Sequence, residues 1–257
     1  MSARTVIVTR PLAQASSLAE KITAMGHKVV VFPLLEISAL PDQAALKAAL
    51  NKLPSYAMVA FVGPNAIDAA FNHLRQWPDG VSIAILGEGS LKALAVHGVT
   101  EENTPIFRPQ DAARSDSETL LEAMDLGVLR GKRVLIIRGE TGRELLGDAL
   151  RSAGADVTQV AAYRRTMPVL DYKAQQHLTS LIETRNDWIV TSSEALRNLR
   201  QMVASIAGEE GVAKLQRQRF VVSHVRIAEN AQNIGLINVT CNGSGDERLL
   251  AAIQSYT

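Results

Sequence analysis

The chain has 257 residues, 47% of them hydrophobic, and a formal net charge of +1 from 27 basic and 26 acidic side chains. That is enough for one large domain or two ordinary ones, with an aliphatic core because aromatics make up only 4%, and it offers no global charge to attract nucleic acid. A single cysteine, Cys241, excludes an intrachain disulfide framework and a cysteine-rich metal site, the opening ARTVIVTRP lacks a signal-peptide pattern, and no apolar run reaches the ~18 residues that a membrane span needs.

In chain order, residues 5–9 read as a buried strand, because near-continuous Val/Ile runs suit a parallel sheet covered on both faces. Pro11 opens an amphipathic helix that Gly26 stops, and residues 28–32 form the next strand. Residues 33–38 break the pattern before a helix over 42–53. Strands follow at 56–62, 82–86 and 106–107, the first two leading into helices through Gly63-Pro64-Asn65 and Gly87-Glu88-Gly89-Ser90. A polar loop spans 108–117 and a helix 118–124.

Residues 132–166 then repeat the opening unit. Arg138 follows Arg10 by 128 positions and Gly154 follows Gly26 by 128, so two similar α/β units are expected. This copy supplies strands at 134–137 and 157–160 and exits through Ala161 and AYRRT. Beyond Pro168 the pattern gives helix 171–183, strand 188–190, a helix near Glu194 capped by Thr191-Ser192-Ser193, strand 220–222, a helix ending near Gly235, strand 237–240 and helix 247–253. Two partitions fit. A simple split near residue 130 gives two sequential halves. A five-plus-five strand partition inserts 39–162 between 1–35 and 168–257, with 36–38 and 163–167 as connectors. Each five-strand set is then a flavodoxin-like open sheet.

Side chains at strand carboxyl ends line the ligand crevice of such sheets. Here these positions hold Arg10, Gly63, Asn65, Gly87, Ser90, Arg138, Gly139, Thr191, Ser192, Ser223 and Arg226. Hydroxyls, guanidinium groups and backbone donors at helix starts suit an anionic ligand held by many hydrogen bonds. Each also has an ordinary reading: a strand-to-helix turn, an N-cap or a surface ion pair. Gly-Glu-Gly-Ser lacks the dinucleotide fingerprint. Glu140 and Glu144 read as solvated charges, His224 as structural, and no spacing among the five histidines suggests a metal site. Tyr163 is the sharpest single candidate: where the chain leaves one unit, its phenol can reach the expected cleft and donate a proton, with Arg164 and Arg165 beside it.

VTRP at 8–11, FPLLEI at 32–37, FVGPNA at 61–66, ILGEGSLKAL at 85–94, LIIRGETGRELL at 135–146, AYRR at 162–165, IVTSSEAL at 189–196 and VVSH at 221–224 together resemble the uroporphyrinogen-III synthase family over essentially the whole chain. The resemblance implies an α/β fold of two flavodoxin-like, degenerate Rossmann-like parallel-sheet domains joined by a two-stranded connector. It implies a cytoplasmic, cofactor-free, metal-free monomer that binds neither nucleic acid nor membrane. Its substrate is then the anionic linear tetrapyrrole hydroxymethylbilane, with transient contact to the preceding pathway enzyme, and its product is uroporphyrinogen III, formed with inversion of ring D and loss of water. The family's linker tyrosine falls on Tyr163 as proton donor, and its hydroxyl-rich strand end on Thr191 and Ser192. Ser223-His224-Val225-Arg226 departs from the glycine- and threonine-rich turn of many members, with Ser223 or Arg226 as substitutes. A two-domain small-anion binding protein without catalysis is the competing class; the missing acidic triad and phosphate loop weigh against a response-regulator or nucleotide-binding module.

Overall fold

The computed structural model describes residues 5–111 and 116–255. Four residues of the polar loop expected at 108–117, residues 112–115, lie outside the described residues, as do the chain's first four and last two. The chain divides into two compact units: unit 1 comprises Met1–Glu36 and Thr166–Thr257, and unit 2 comprises Ile37–Arg165.

Unit 1 carries strands β1 (Thr5–Val8) and β2 (Lys28–Val31), with helix α1 (Leu12–Ala24) between them. After unit 2, which contains β3 to β8 and α2 to α6, it resumes with α7 (Tyr172–Glu183), β9 (Asp187–Val190), α8 (Ser193–Gln216), β10 (Arg219–Val222), α9 (Val225–Asn233), β11 (Val239–Cys241) and α10 (Asp246–Gln254). Its sheet order is β11-β10-β9-β1-β2, and all neighbours are parallel. Strand alternation divides the core in two. Ile7, Trp188, Val190, Phe220 and Val222 pack with the α7, α8 and α9 residues. Val6, Val8, Ile189 and Val221 pack with α1 and α10. The long α8 breaks from helical geometry at Gly208, a break the sequence reading did not anticipate.

Unit 2 runs β3 (Glu36–Ala39), α2 (Ala44–Leu50), β4 (Met58–Phe61), α3 (Pro64–Phe71), β5 (Ser82–Ile85), α4 (Glu88–Val96), β6 (Ile106–Phe107), α5 (Ser117–Glu122), β7 (Arg133–Gly139), α6 (Leu145–Ser152) and β8 (Asp156–Thr166). Its six-stranded order is β3-β8-β7-β4-β5-β6. Val59, Phe61, Ile83, Ile85, Leu135 and Ile137 face the α2, α3 and α4 layer. Met58, Ala60, Ala84, Val134 and Ile136 face α5 and α6.

Two differences from the sequence reading matter for function. Residues 36–38 and 163–166 are strand, as a two-stranded connector implies, but the strand expected at 157–160 and the exit after it are one continuous β8, and the unit boundaries fall inside β3 and β8, which are neighbours in one sheet. Ile37 is the lone apolar residue of β3 that packs against the core, so the strand carries almost no hydrophobic signal. The second difference is wiring. Starting from β7, the order β8-β7-β4-β5-β6 is the same 2-1-3-4-5 arrangement that unit 1 shows starting from β1. Unit 2 is therefore a circular permutation of unit 1 with β3 added. The internal repeat is preserved in the pairing: Thr5 pairs with Lys28 and Arg133 with Asp156, so both partners are displaced by 128 positions.

Candidate functional site

The most structured strand end in unit 2 lies where β7 and β8 finish. Along β8, Gln159 turns towards Glu144 at the start of α6, while Val160 and Ala162 face the α3 layer. Strict alternation would place Tyr163 on the Gln159 face. It does not, because the register jumps from Arg138↔Ala161 to Gly139↔Tyr163, a β-bulge. The extra residue re-aims the side chains that follow it, and Tyr163 joins Val160 and Ala162 in the core layer with only 5% of its surface exposed.

The phenol lies over two glycines. A Cβ added at Gly139 would sit 3.1 Å from the Tyr163 Cζ and 3.3 Å from its hydroxyl oxygen. At Gly63, where φ is +97° and side chains are disfavoured, it would sit 4.0 Å from that oxygen. Among the described residues the hydroxyl makes no hydrogen bond. The sequence reading chose Tyr163, Gly63 and Gly139, and the structure brings these three together. It places Tyr163 inside a strand rather than on a linker.

The loop after β7 is held by arginines. Arg138 is 8% exposed; it bonds to Glu144 Oε1 at 2.6 Å and Gln159 Oε1 at 3.2 Å. It therefore faces α6, on the side of the sheet opposite Gly139 and Tyr163. Adjacent positions on a strand point to opposite faces, so its nearness in sequence does not make it part of the tyrosine's surroundings. Arg164 bonds to Glu140 through both carboxylate oxygens, at 2.6 and 2.7 Å. Arg165 Nη2 donates to the Thr141 carbonyl at 3.0 Å, and Arg143 pairs with Glu118. Glu140 and Glu144 are exposed, as read from the sequence, and are also ion-paired. Each carboxyl is held below its ordinary range, Glu140 by the hydrogen bond from Arg164 and Glu144 by those from Gln159 and then Arg138. The hydrogen bond from Arg143 lowers Glu118 in the same way.

Gly63 and Gly87 stand at the N-caps of α3 and α4, and neither helix has a side-chain cap. Pro64, the first residue of α3, has no N–H to satisfy, and the Ala66, Ser90 and Leu91 amides bond to the Gly63 and Gly87 carbonyls. Gly87 has φ 170°, extended backbone that any residue adopts. Asn65 is half-buried in the first turn of α3, and Ser90 is buried in that of α4.

In unit 1 the corresponding groups are engaged in the fold. Thr9 Oγ1 donates to the Ile189 carbonyl at 2.8 Å, and Arg10 pairs with Asp246 at 2.7 Å, tying the end of β1 to α10. Ser192 caps α8 by accepting from the Glu194 and Ala195 amides, and His224 Nδ1 caps α9 by accepting from the Arg226 amide at 3.1 Å. Ser223 is buried, and its carbonyl accepts from Ser244. Arg226 is half-buried in the first turn of α9, and its carbonyl accepts from Asn230. Thr191, half-buried just before the α8 cap, keeps its strand-end place. Among the described residues no group of three or more His, Cys, Asp or Glu side chains is placed to hold a metal ion, and no helix is long and apolar enough to cross a membrane.

Comparison with known proteins gives a consistent result. The sequence model of the family described as uroporphyrinogen-III synthase HemD matches residues 16–250. The uroporphyrinogen-III synthase of Escherichia coli K12 is 31% identical over 257 residues, covering 97% of this chain and 99% of that protein. That of Salmonella typhimurium LT2 is 31% identical over 254 residues, covering 97% and 99%. Among solved structures, uroporphyrinogen-III synthetase from Helicobacter pylori 26695 shares the fold with a TM-score of 0.63 at 15% identity, covering 99% of this chain and all of that one. A mutant of the Thermus thermophilus enzyme gives 0.59 at 14% identity, covering 99% and 97%. With a family match over most of its length and relatives at 31% identity end to end, this chain belongs to the uroporphyrinogen-III synthase family.

Proposed function

We propose that this chain is a cofactor-independent lyase that closes hydroxymethylbilane to uroporphyrinogen III, inverting ring D and releasing water, with Tyr163 as the proton donor. The observation that carries the reading is the Tyr163 phenol: buried, set over Gly139 and Gly63 at a strand carboxyl end, and with no hydrogen bond to its hydroxyl among the described residues. The ring is buried while its hydroxyl oxygen keeps some accessible surface, so a departing substrate hydroxyl can reach the phenolic proton. The phenolic proton passes to that hydroxyl, which leaves as water, while the pyrrole nitrogen's electrons form the azafulvene. Attack at the substituted position of ring D gives a spiro-pyrrolenine, which fragments and recloses in the inverted sense. Loss of the final ring proton restores the aromatic pyrrole and balances the donated one.

The pyrroles supply most of the electronic driving force, so the protein's work is orientation and exclusion of direct closure. The start of α4, which has no side-chain cap, fits a substrate carboxylate, and Asn65 adds a polar group in the first turn of α3.

Purified protein given hydroxymethylbilane alone should yield predominantly the type III isomer; binding with no isomer-selective turnover would leave only an anion-binding protein. Tyr163→Phe should lower kcat about 100-fold, within the usual range of a general acid's contribution, with KM little changed. Wild-type turnover by that variant would remove Tyr163 as the donor.

A further inference from the structure

We infer that Gly139 is a positioning residue for the reaction: the absence of a side chain there sets where the Tyr163 phenol lies. The inference rests on Tyr163 being the proton donor. The place a Cβ would take at Gly139 lies 3.1 Å from Cζ, 3.3 Å from Cε2 and 3.3 Å from the hydroxyl oxygen of Tyr163, closer than side chains ordinarily pack. Either the ring or the backbone would have to give way.

The backbone is pinned on both sides of that contact. The Glu140 amide donates to the Tyr163 carbonyl at 2.8 Å, so the strands cannot part at this step. The Glu140 carboxylate takes both hydrogen bonds of Arg164, the residue after the tyrosine. One residue further along, Arg165 Nη2 reaches the Thr141 carbonyl at 3.0 Å. Three successive positions of β8 are thus tied to the chain where β7 ends. The β-bulge turns Tyr163 onto the Gly139 face, and the ties hold the two strands together there. With the strands fixed, an added methyl moves the ring. It swings the hydroxyl, the far end of the side chain, by a few tenths of an ångström or more. At the helix starts the hydroxyl borders only Gly63, the N-cap of α3, which has no side chain to displace. The displacement therefore acts on the chemical step and spares substrate binding.

The test is a double-mutant cycle between Gly139→Ala and Tyr163→Phe, with kcat, KM and the type III to type I product ratio measured for each variant. Gly139→Ala alone should lower kcat roughly tenfold, given that a 1 Å misplacement costs about 100-fold, and should leave KM within about twofold. In the Tyr163→Phe background it should cost nothing further, because the group it positions is already gone. An equal loss in both backgrounds would mark Gly139 as merely structural and overturn the proposal, as would wild-type kcat in Gly139→Ala alone. Wild-type kcat in Tyr163→Phe alone would instead overturn the donor reading, and the positioning role with it. Thermal melts accompany each variant. Should Gly139→Ala fail to fold, Arg164→Gln replaces it. That change releases one tie at an exposed ion pair, which costs little stability. It should lower kcat about threefold in the presence of the Tyr163 hydroxyl and not at all in its absence; an equal loss in both backgrounds overturns the proposal.

Discussion

The two units have the same wiring and treat equivalent strand ends differently. By position in the sheet, β9 and β10 of unit 1 correspond to β4 and β5 of unit 2. Each leads directly into a helix. In unit 1 those helices begin under side-chain caps, Ser192 on α8 and His224 on α9. In unit 2 they begin at Gly63 and Gly87 with no side-chain cap. The equivalent arginines are both ion-paired, Arg10 to Asp246 and Arg138 to Glu144; the difference lies one residue on, where unit 1 has Pro11 and unit 2 has Gly139, which accommodates a tyrosine. A side-chain cap satisfies first-turn donors; at the uncapped starts Pro64 has no N–H, and the Ala66, Ser90 and Leu91 amides bond to the Gly63 and Gly87 carbonyls. A single α/β design thus has side-chain-capped helix starts in one copy and, in the other, a buried tyrosine beside helix starts without side-chain caps.

The scaffold role of unit 1 can be attacked at the other end of its strands. Asp187, at the amino end of β9, pairs with Arg219 at 2.6 Å, and its side chain is only 5% exposed. Beside it, Gln218 accepts from the Asn186 amide at 2.9 Å and donates to the Ile182 carbonyl at 3.0 Å. Asp187→Ala leaves a guanidinium largely buried beside an apolar methyl, and removing one partner of such a pair typically costs about 3–5 kcal/mol. A loss of unfolding free energy of that size, read from denaturant titration, is the largest stability effect expected. A loss under about 1 kcal/mol, the range of an exposed pair, would mean that water or a neighbour takes over the role of Asp187.

The open character of unit 2 can be tested by giving it a cap. The extended backbone at Gly87 accepts any side chain, and aspartate is among the strongest N-caps. Gly87→Asp should raise stability by roughly a few tenths of a kcal/mol, the usual difference between glycine and a good cap. It should also raise KM about tenfold, because its carboxylate takes the amides expected to hold a carboxylate of the substrate and repels that group as well. Unchanged KM with raised stability would show that α4 does not bind the substrate, and the contrast between the units would lose half its functional meaning.

Much of this was legible in the residues. The 128-residue repeat predicts the two α/β copies, and Val/Ile runs predict their buried parallel strands. Ser192 followed by Glu194 predicts a capped helix. What stayed hidden needs the third dimension. The bulge has no signature in a single chain: AYRRT reads as a polar exit, yet those residues continue a strand, and one inserted position decides which face the tyrosine takes. The role of Gly139 follows from what lies across the ladder, not from its neighbours in sequence. Pairing an aromatic with the glycine opposite it would have been the available clue. The charges of the 139–144 loop are solvated as read, but their ion pairs stayed hidden because the partner arginines are set by the fold, and β3 passed unnoticed because one core-packed apolar residue in four is too weak a pattern.

The smallest effect expected concerns acid, and it again separates the units. Three glutamates of unit 2, Glu118, Glu140 and Glu144, are held below their ordinary range by Arg143, Arg164, and Gln159 with Arg138. Glu140 and Glu144 lie within the 139–144 loop, and Glu118 pairs with Arg143 of the same loop. A depressed carboxyl contributes stability that is present above its unfolded value and disappears as pH falls through its folded value. The reference carboxyl titrates at about 4.3, so the loop should stay ordered through neutral and mildly acidic solution and loosen only below about pH 4. Being exposed pairs, these contacts should also weaken in salt near 1 M, where the screening length is about 3 Å. Hydrogen-exchange protection of residues 139–144, followed from about pH 6 to pH 3 at low and high salt, should fall in acid and fall sooner in salt. The start of α8 supplies the internal contrast from unit 1. Its cap acceptor is the Ser192 hydroxyl, which neither titrates in this range nor depends on an ion pair. Amides of the first turn of α8 should therefore keep their protection through the range in which the loop loses its own, and should not respond to salt. Simultaneous loss at both places would mean that acid acts on the whole fold and that the ion pairs do not hold the loop.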